Sequence, residues 1–319
     1  MNAVCGLLES SLKLILFGGK GGVGKTTLAS SAGVYLAGRG KKTLLISTDP
    51  AHSLSDSLGV EIGCSIKNTG IDGLDAFEIS AEKEFAAFKE QYDKELRSLF
   101  DTGSYLDRDD VDSILALQMP GMDEVMGLKQ IIELVREGKY DKYVLDTAPT
   151  GHALRLLHLP ELLDQWIKVV SKMRWKYRYI VERFSGEYRP DAVDDFLVAM
   201  KKSVKHIGDI LKDQKACEFI PVTIPEDMAV RETGRLINAL KRFGIKTRQL
   251  IINNVIRPSG RCPFCMERRE GQEKYIKSLR EQFSDLNIVE IPLRQREIKG
   301  VGDLQKLTDI AFADVCHAI

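Results

Sequence analysis

A glycine-rich loop near the start of the chain separates two segments with different hydrophobic patterns. The loop, residues 18–27, reads GGKGGVGKTT. Before it, residues 12–17 (LKLILF) form a short apolar run that is typical of a buried parallel strand. After it, residues 26–37 have the pattern of a helix that Gly38 ends. This order of strand, glycine loop and helix predicts a phosphate-binding loop within an α/β protein.

The spacing within the loop supports this prediction. Residues 19–26 fit the pattern G-x-x-x-x-G-K-[ST], in which glycines allow backbone N–H groups to converge on phosphate oxygens without interference from Cβ atoms. We expect Lys25 to contact the β- and γ-phosphates, Thr26 to coordinate Mg²⁺ and Thr27 to support the α-phosphate. A simple glycine turn is the alternative, but it does not explain the lysine and threonines at these offsets. The predicted nucleotide-contacting residues of the loop are Gly19, Lys20, Gly21, Gly22, Val23, Gly24, Lys25, Thr26 and Thr27.

Short apolar runs recur along the rest of the chain and alternate with helical patterns. They predict buried strands at residues 43–47, 76–80, 140–146, 217–223, 249–255 and 288–291. The predicted fold class is therefore α/β, a P-loop NTPase with a doubly wound, mainly parallel sheet. Two stretches, about 82–136 and 154–215, each show a run of helical patterns that no strand interrupts. We interpret them as an α-helical subdomain inserted into a single P-loop ATPase domain that covers residues 1–319.

The overall charge excludes partners that depend on a strong electrostatic field. The chain has 46 Lys and Arg residues and 46 Asp and Glu residues, so its formal net charge is zero. We therefore expect no nucleic-acid partner. No apolar run approaches the roughly 18 residues of a membrane span, and the first residues lack the basic region of a signal peptide. The sequence predicts a soluble, cytoplasmic protein.

Two aspartates stand at the ends of predicted strands, where ligands bind in open α/β sheets. Asp49 follows the strand at residues 43–47, and we expect it to orient or deprotonate the attacking water. Asp146 ends the strand at residues 140–146, and it suits a carboxylate that holds Mg²⁺ through water. The following loop, residues 147–152, suits a segment that senses the γ-phosphate. A helix cap is the alternative role for either aspartate.

Three segments, GGKGGVGKTT, DPAHS and DTAPTGHALRLL, resemble in order and spacing the arsenite-pump and tail-anchored-protein-targeting ATPase family, which carries a deviant Walker A motif. The resemblance covers nearly the whole chain and implies ATP as a cofactor. It also implies that Lys20, the second lysine of the loop, reaches across a homodimer interface to the partner's nucleotide, as an arginine finger does. Lys20, Lys25 and Asp49 are therefore the predicted catalytic residues. For Lys20 the alternative is a solvated loop lysine.

The resemblance assigns further residues in the second half of the chain. The segment IPEDMAVRET resembles the one whose glutamate, here Glu226, approaches the partner's nucleotide. The segment IINN resembles the part that contacts adenine, which implies a base contact by Asn253. The segment IPLRQREIKG resembles the loop that covers the adenine with Pro292 and Leu293. Ser53 departs from the pattern, because the family usually has asparagine there, and this makes its contact with the nucleotide region less secure.

Two of the six cysteines, Cys262 and Cys265, form a CxxC pair. Structural zinc needs four ligands, and no His or Cys lies near enough in sequence to complete the set. Two identical chains that each give one pair would close a Cys₄ site on a two-fold axis. A redox dithiol is the alternative, although no thioredoxin-like unit is visible around the motif. The family resemblance also places an interface zinc at this pair.

Two functions follow from the resemblance. The first is a homodimeric ATPase whose helical subdomains bind the transmembrane helix of tail-anchored proteins and deliver it through a membrane receptor. The second is the ATPase subunit of an arsenite pump. Such subunits generally contain two tandem ATPase halves, whereas this sequence corresponds to a single half. A metalloid site also needs thiolate ligands, yet residues 82–215 contain no cysteine. The first function is therefore preferred. A partitioning or cell-division ATPase is disfavoured by the CxxC pair and by a last segment, DIAFADVCHAI, that is not basic.

Overall fold

The fold is known from a computed structural model of the chain. The structure describes residues 3–48, 53–80, 83, 84, 86, 87, 90, 122–147, 168, 171, 175, 179, 182, 183, 192–257 and 262–314. It divides into two compact units. The first comprises Met1–Ile79, Leu134–Leu154 and Ile210–Ile319, and the second comprises Ser80–Glu133 and Arg155–Asp209.

The first unit is built around a sheet of eight described strands. Along the sheet their order is β3-β4-β2-β5-β1-β6-β7-β8, and every neighbouring pair except β3–β4 is parallel. This confirms the predicted α/β class and the mainly parallel sheet. The strands are β1 Leu14–Gly18, β2 Thr43–Ser47, β3 Lys67–Ile71, β4 Leu74–Glu78, β5 Lys142–Asp146, β6 Cys217–Thr223, β7 Gln249–Val255 and β8 Asn287–Pro292.

The central strands are buried throughout because helices cover both faces of a doubly wound parallel sheet. Every residue of β1, β2, β5 and β6 is buried. The seven named helices of the described residues are α1 Lys25–Gly38, α2 Ser53–Leu58, α3 Met122–Glu137, α4 Ala192–Lys212, α5 Asp227–Phe243, α6 Pro263–Gln282 and α7 Val301–Ala311.

One strand of the sheet is missing from the sequence-based prediction. β3 pairs antiparallel with β4 and forms the edge of the sheet. Its burial pattern is mostly exposed, so it lacks the apolar run by which the other strands were found. The local signal is the turn instead: Asp72 and Gly73 join the two strands, and Gly73 has a φ of 78°. Asp-Gly between two extended segments is a strong hairpin signal.

A polar cluster lies at the amino ends of the central strands, whereas the phosphate loop follows the carboxyl end of β1. Lys142, the first residue of β5, is 1% exposed, and its Nζ donates to the carbonyl oxygens of Glu9 at 2.5 Å and Leu12 at 2.6 Å. Glu218 on β6 is fully buried and pairs with Arg248, whose Nε donates to Oε2 at 3.0 Å. Arg248 also bonds Glu9 at 2.8 Å. These bonds hold the segment before β1 against the sheet.

None of the helices that the structure describes is long and apolar enough to cross a membrane.

Candidate active site

The phosphate loop lies between β1 and α1, as predicted, and two of its glycines are needed for specific reasons. Gly24 has a φ of 92°, a left-handed conformation that other residues rarely adopt. A Cβ atom on Gly19 would overlap the carbonyl oxygen of Val222 on β6. Because that oxygen belongs to the backbone of a central strand, it cannot move aside. The loop therefore packs directly against the end of β6.

The two lysines of the loop have different surroundings. Lys25, the first residue of α1, is 5% exposed, and its Nζ donates to the carbonyl oxygen of Lys20 at 3.2 Å. Its side chain therefore folds back over the loop in which phosphate oxygens are expected. Lys20 is partly exposed. Within one chain, the loop thus contains one buried and one accessible lysine.

An aspartate, a threonine and a serine meet at the base of the loop. The hydroxyl of Thr26 donates to Oδ2 of Asp146 at 2.6 Å, and the hydroxyl of Ser47 donates to the same oxygen at 3.4 Å. Asp146 is fully buried at the end of β5. Hydroxyl and carboxylate oxygens are the ligands that Mg²⁺ prefers in proteins. The predicted pair of Thr26 and Asp146 is therefore brought together, and its donor set fits a magnesium ion.

A cavity of about 370 Å³ lies beside the phosphate loop. Gly22, Gly24 and Thr27 from the loop and the first turn of α1 line one side of it. Asn253, near the end of β7, lines the other side, and its Nδ2 donates to the carbonyl oxygen of Val23 at 2.9 Å. The volume lies in the range of small-molecule sites. A nucleotide whose phosphates bind the loop could therefore place its nucleobase in this cavity.

The segment after β8 completes the cavity. Pro292 and Leu293 line it together with residues 294–298, and Leu293 is 52% exposed. The N–H of Leu293 donates to the carbonyl oxygen of Val255 at 2.9 Å, which fixes the start of this segment to the end of β7. Pro292, Leu293 and Asn253, which lie on two strand ends far apart in sequence, therefore line one cavity with the loop.

Two residues around the cavity were missed by sequence reasoning. Asn254 also lines it and has a φ of 56°, the only positive value among described residues other than glycine. Gln272 on α6 supports this turn, because its Nε2 donates to the carbonyl oxygen of Asn254 at 3.1 Å and its Oε1 accepts from the N–H of Ile256 at 2.8 Å. The Asn-Asn pair was the available signal, since asparagine tolerates the left-handed region.

Other predicted residues are not part of this arrangement. Glu226 precedes α5 with an exposed side chain and does not line the described cavity. Asp49 and residues 148–152 lie outside the described residues. Ser53 is the first residue of α2, but its side chain is likewise not described.

The CxxC pair opens a helix. Cys262 is the cap of α6, and its Sγ accepts a hydrogen bond from the N–H of Cys265 at 3.4 Å. This bond lowers the pKa of the Cys262 thiol, whereas the side-chain bond between the two thiols raises the pKa of Cys265. Cys262 is exposed and Cys265 is partly exposed. Of the other cysteines, Cys217 is buried and Cys64 is exposed, although both lie in apolar or helical contexts that predict small core residues.

Comparison with known proteins identifies the family. The model of the anion-transporting ATPase family matches residues 12–312. The chain is 35% identical to "ATPase ASNA1 homolog 2" of Paramecium tetraurelia, with 95% of each chain covered. It is 32% identical to "ATPase get3" of Schizosaccharomyces japonicus, with 95% of this chain and 94% of the relative covered. These matches confirm the predicted family and the predicted ATP hydrolase activity. The chain belongs to the anion-transporting ATPase family, and it binds and hydrolyses ATP.

Proposed function

We propose that the protein hydrolyses MgATP at a homodimer interface and thereby opens and closes two helical subdomains that bind the transmembrane helix of tail-anchored membrane proteins. The exposed apolar side chains of the second unit carry this proposal. Trp175 is 66% exposed, Tyr179 is 53% exposed and Val198 is 52% exposed. The rings of Trp175 and Tyr179 stack at 6.2 Å. Contiguous exposed apolar side chains are typical of sites that bind other apolar chains, and the stacked Trp175 and Tyr179 form such a pair.

The helical subdomain in this proposal comprises about residues 82–136 and 154–215. The second unit, Ser80–Glu133 and Arg155–Asp209, has similar bounds. The two named helices of these stretches are α3 and α4. Both have apolar residues that recur at helical spacing, so both are amphipathic. The transmembrane helix of a client protein would bind this unit. A receptor at the membrane would then receive the client. The protein would act in the cytoplasm.

The residues of the phosphate loop and the cavity give the chemical step. Lys25 would neutralise the β- and γ-phosphates, and Asn253 would orient the base in the cavity beside the loop. Mg²⁺, held by Thr26 and Asp146, would supply positive charge against the phosphate oxygens. Asp49 would orient the attacking water. Because the loop already contains one buried lysine, the more accessible Lys20 is available to a second nucleotide.

A homodimer is supported by residues at the carboxyl edge of the sheet. The Lys20 side chain is half-exposed, and the exposed Glu226 follows β6, the strand next to β1. Both residues therefore lie at the edge at which the nucleotide site is built, with side chains accessible to another chain. A partner that docks there would place its own Lys20 and Glu226 near this chain's nucleotide.

Zinc shared by two chains is part of the same proposal. Cys262 and Cys265 sit together at the accessible first turn of α6, and the lowered pKa of Cys262 favours the thiolate that binds metal. Within the described part of the chain, no third His, Cys, Asp or Glu joins them in a group that could hold a metal ion. A tetrahedral site would need the second pair from the partner chain.

The proposal is tested by co-expression with a tail-anchored membrane protein and isolation of the soluble complex. We expect the wild-type protein to hold its client in solution. The double variant Trp175→Glu, Tyr179→Glu should keep its ATPase activity and lose the client. Ile66→Glu is the matched control, because Ile66 is an exposed apolar residue (43%) of the first unit, and this variant should retain the client.

Two results would contradict the targeting function. One is the absence of any complex together with ATPase activity that arsenite stimulates, which would favour the pump subunit. The other is equal client binding by the wild type and the double variant, which would place the client elsewhere.

A further inference from the structure

A buried carboxylate lies in the row of residues that ends the central strands. Glu78 is the last residue of β4 and is 1% exposed. In the parallel register, Glu78 is opposite Ser47 on β2, and Ser47 is in turn opposite Asp146 on β5. Glu78 is therefore two strands away from the carboxylate of the proposed magnesium site. A fully buried carboxylate is costly unless hydrogen bonds stabilise it.

The carboxylate of Glu78 binds the start of a helix. Its Oε1 accepts hydrogen bonds from the N–H of Leu54 at 3.1 Å and the N–H of Ser55 at 3.4 Å, both in the first turn of α2. The first N–H groups of a helix have no partner within the helix. A negative charge there also interacts favourably with the helix dipole. Glu78 therefore caps α2 from a strand that follows it in sequence.

Further contacts hold α2 besides this cap. Leu54 and Leu58 are buried in the hydrophobic core. The hydroxyl of Ser55 donates to the carbonyl oxygen of Ile62 at 3.2 Å and accepts from its N–H at 3.0 Å. The carbonyl oxygen of Ser57 accepts from the N–H of Gly300 at 2.9 Å. The helix is thus held as one body, and the bonds to Glu78 add to these contacts at its first turn.

The segment that joins β2 to α2 contains Asp49. Its upstream end is fixed, because the N–H of Thr48 donates to the carbonyl oxygen of Asp146 at 3.0 Å. Its downstream end is the first turn of α2, which begins at Ser53. We propose that Glu78 is a positioning residue of the ATPase, whose carboxylate fixes the α2 end of the segment that carries Asp49. This inference rests on the proposed role of Asp49 in orienting the attacking water.

Glu78→Met and Glu78→Gln test the inference. Methionine has a similar volume but accepts no comparable hydrogen bond, whereas glutamine keeps an oxygen at the same place. We expect Glu78→Met to lower kcat for MgATP by about 10-fold or more, since small misplacements of a reacting group have effects of that size. The dissociation constant for MgADP should stay within about twofold of the wild type, and Glu78→Gln should restore most of kcat.

Asp75→Ala is the matched control, because Asp75 lies on the same strand and bonds the hydroxyl of Tyr140 instead of α2. It should leave kcat unchanged. Equal kcat values for Glu78→Met and the wild type, or no recovery in Glu78→Gln, would overturn the inference. If Glu78→Met does not fold, hydrogen exchange of the wild type decides, because unprotected amides at Leu54 and Ser55 would also overturn it.

Asp49→Asn separates the inference from the proposed function. It should abolish turnover and spare MgADP binding. An active Asp49→Asn variant would refute the assignment of Asp49 and with it this inference. An inactive Asp49→Asn variant beside a fully active Glu78→Met variant would refute the role of Glu78 alone.

Discussion

Replacement of the buried lysine at the start of β5 should change how stability depends on pH. Burial, with repulsion by Lys13 and Lys41, lowers the pKa of Lys142 from 10.5 to about 8 in the folded protein. In the unfolded chain its pKa returns to the ordinary lysine value. Between these two values the unfolded state binds more protons than the folded state. The free energy of unfolding therefore rises with pH across this window.

The size of the effect follows from the two pKa values. One pKa unit corresponds to about 1.4 kcal/mol, so the full contribution of Lys142 is about 3 kcal/mol between pH 8 and 10.5. About 2 kcal/mol of this should be visible between pH 7 and 9.5. Below pH 8 the cost of burying the cation is fully present. Lys142→Met removes the titrating group and also the hydrogen bonds from Nζ to the carbonyl oxygens of Glu9 and Leu12. That loss should not depend on pH.

Urea unfolding of the wild type and Lys142→Met at pH 7, 8, 9 and 9.5 measures the effect. Other titrating groups are common to both proteins, so their contributions cancel in the difference. We expect the free energy of unfolding of the wild type to rise by about 2 kcal/mol relative to that of the variant across this range. Lys42→Met, which changes an exposed neighbouring lysine, should run parallel to the wild type. A constant difference between the wild type and Lys142→Met from pH 7 to 9.5 would refute the reasoning.

Two further predictions concern the nucleotide and the metal. Asn253→Ala should weaken MgATP binding about 10-fold and change kcat little, because it removes the bond to Val23 and the proposed contact with the nucleobase. Calorimetric titration measures the dissociation constant. An unchanged dissociation constant would exclude Asn253 from the site. We expect the wild type to contain one zinc ion per two chains. Replacing Cys262 and Cys265 with serine should remove this zinc and make the dimer dissociate on dilution. A metal-free wild-type dimer of equal stability would rule out that role for the pair.

Much of the fold could be predicted because most strands carry their own signal. β2, β6 and β7 have the predicted bounds, since each contains a short, buried apolar run. β3 could not be found in this way, because an edge strand exposed to solvent has no continuous apolar run. Its turn at Asp72 and Gly73 was the usable signal. The prediction therefore failed where the structure depends on turn chemistry and not on burial.

The nucleotide site was predictable to a different extent. The loop, Lys25 and Thr26 follow from local spacing, because one strand, one loop and one helix supply all of them. Asn253 and Leu293 belong to other strand ends, and only the family resemblance connected them to the loop. The structure shows the physical connection, since Asn253 bonds the loop directly and lines the same cavity as Leu293. No local pattern contains a contact between residues so far apart in sequence.

Glu78 shows why register matters more than motif for the remaining part of the site. Its sequence context, a short strand ending in a charged residue, is no more informative than that of many strand ends. The parallel register is what places it in one row with Ser47 and Asp146. Across that row, three neighbouring strands supply a helix cap and, for the proposed magnesium site, a hydroxyl and a carboxylate. Thr48 and the first turn of α2, which flank the segment with Asp49, are bonded to Asp146 and Glu78 respectively. We therefore expect a change at Glu78 to reach the chemical step without touching the nucleotide.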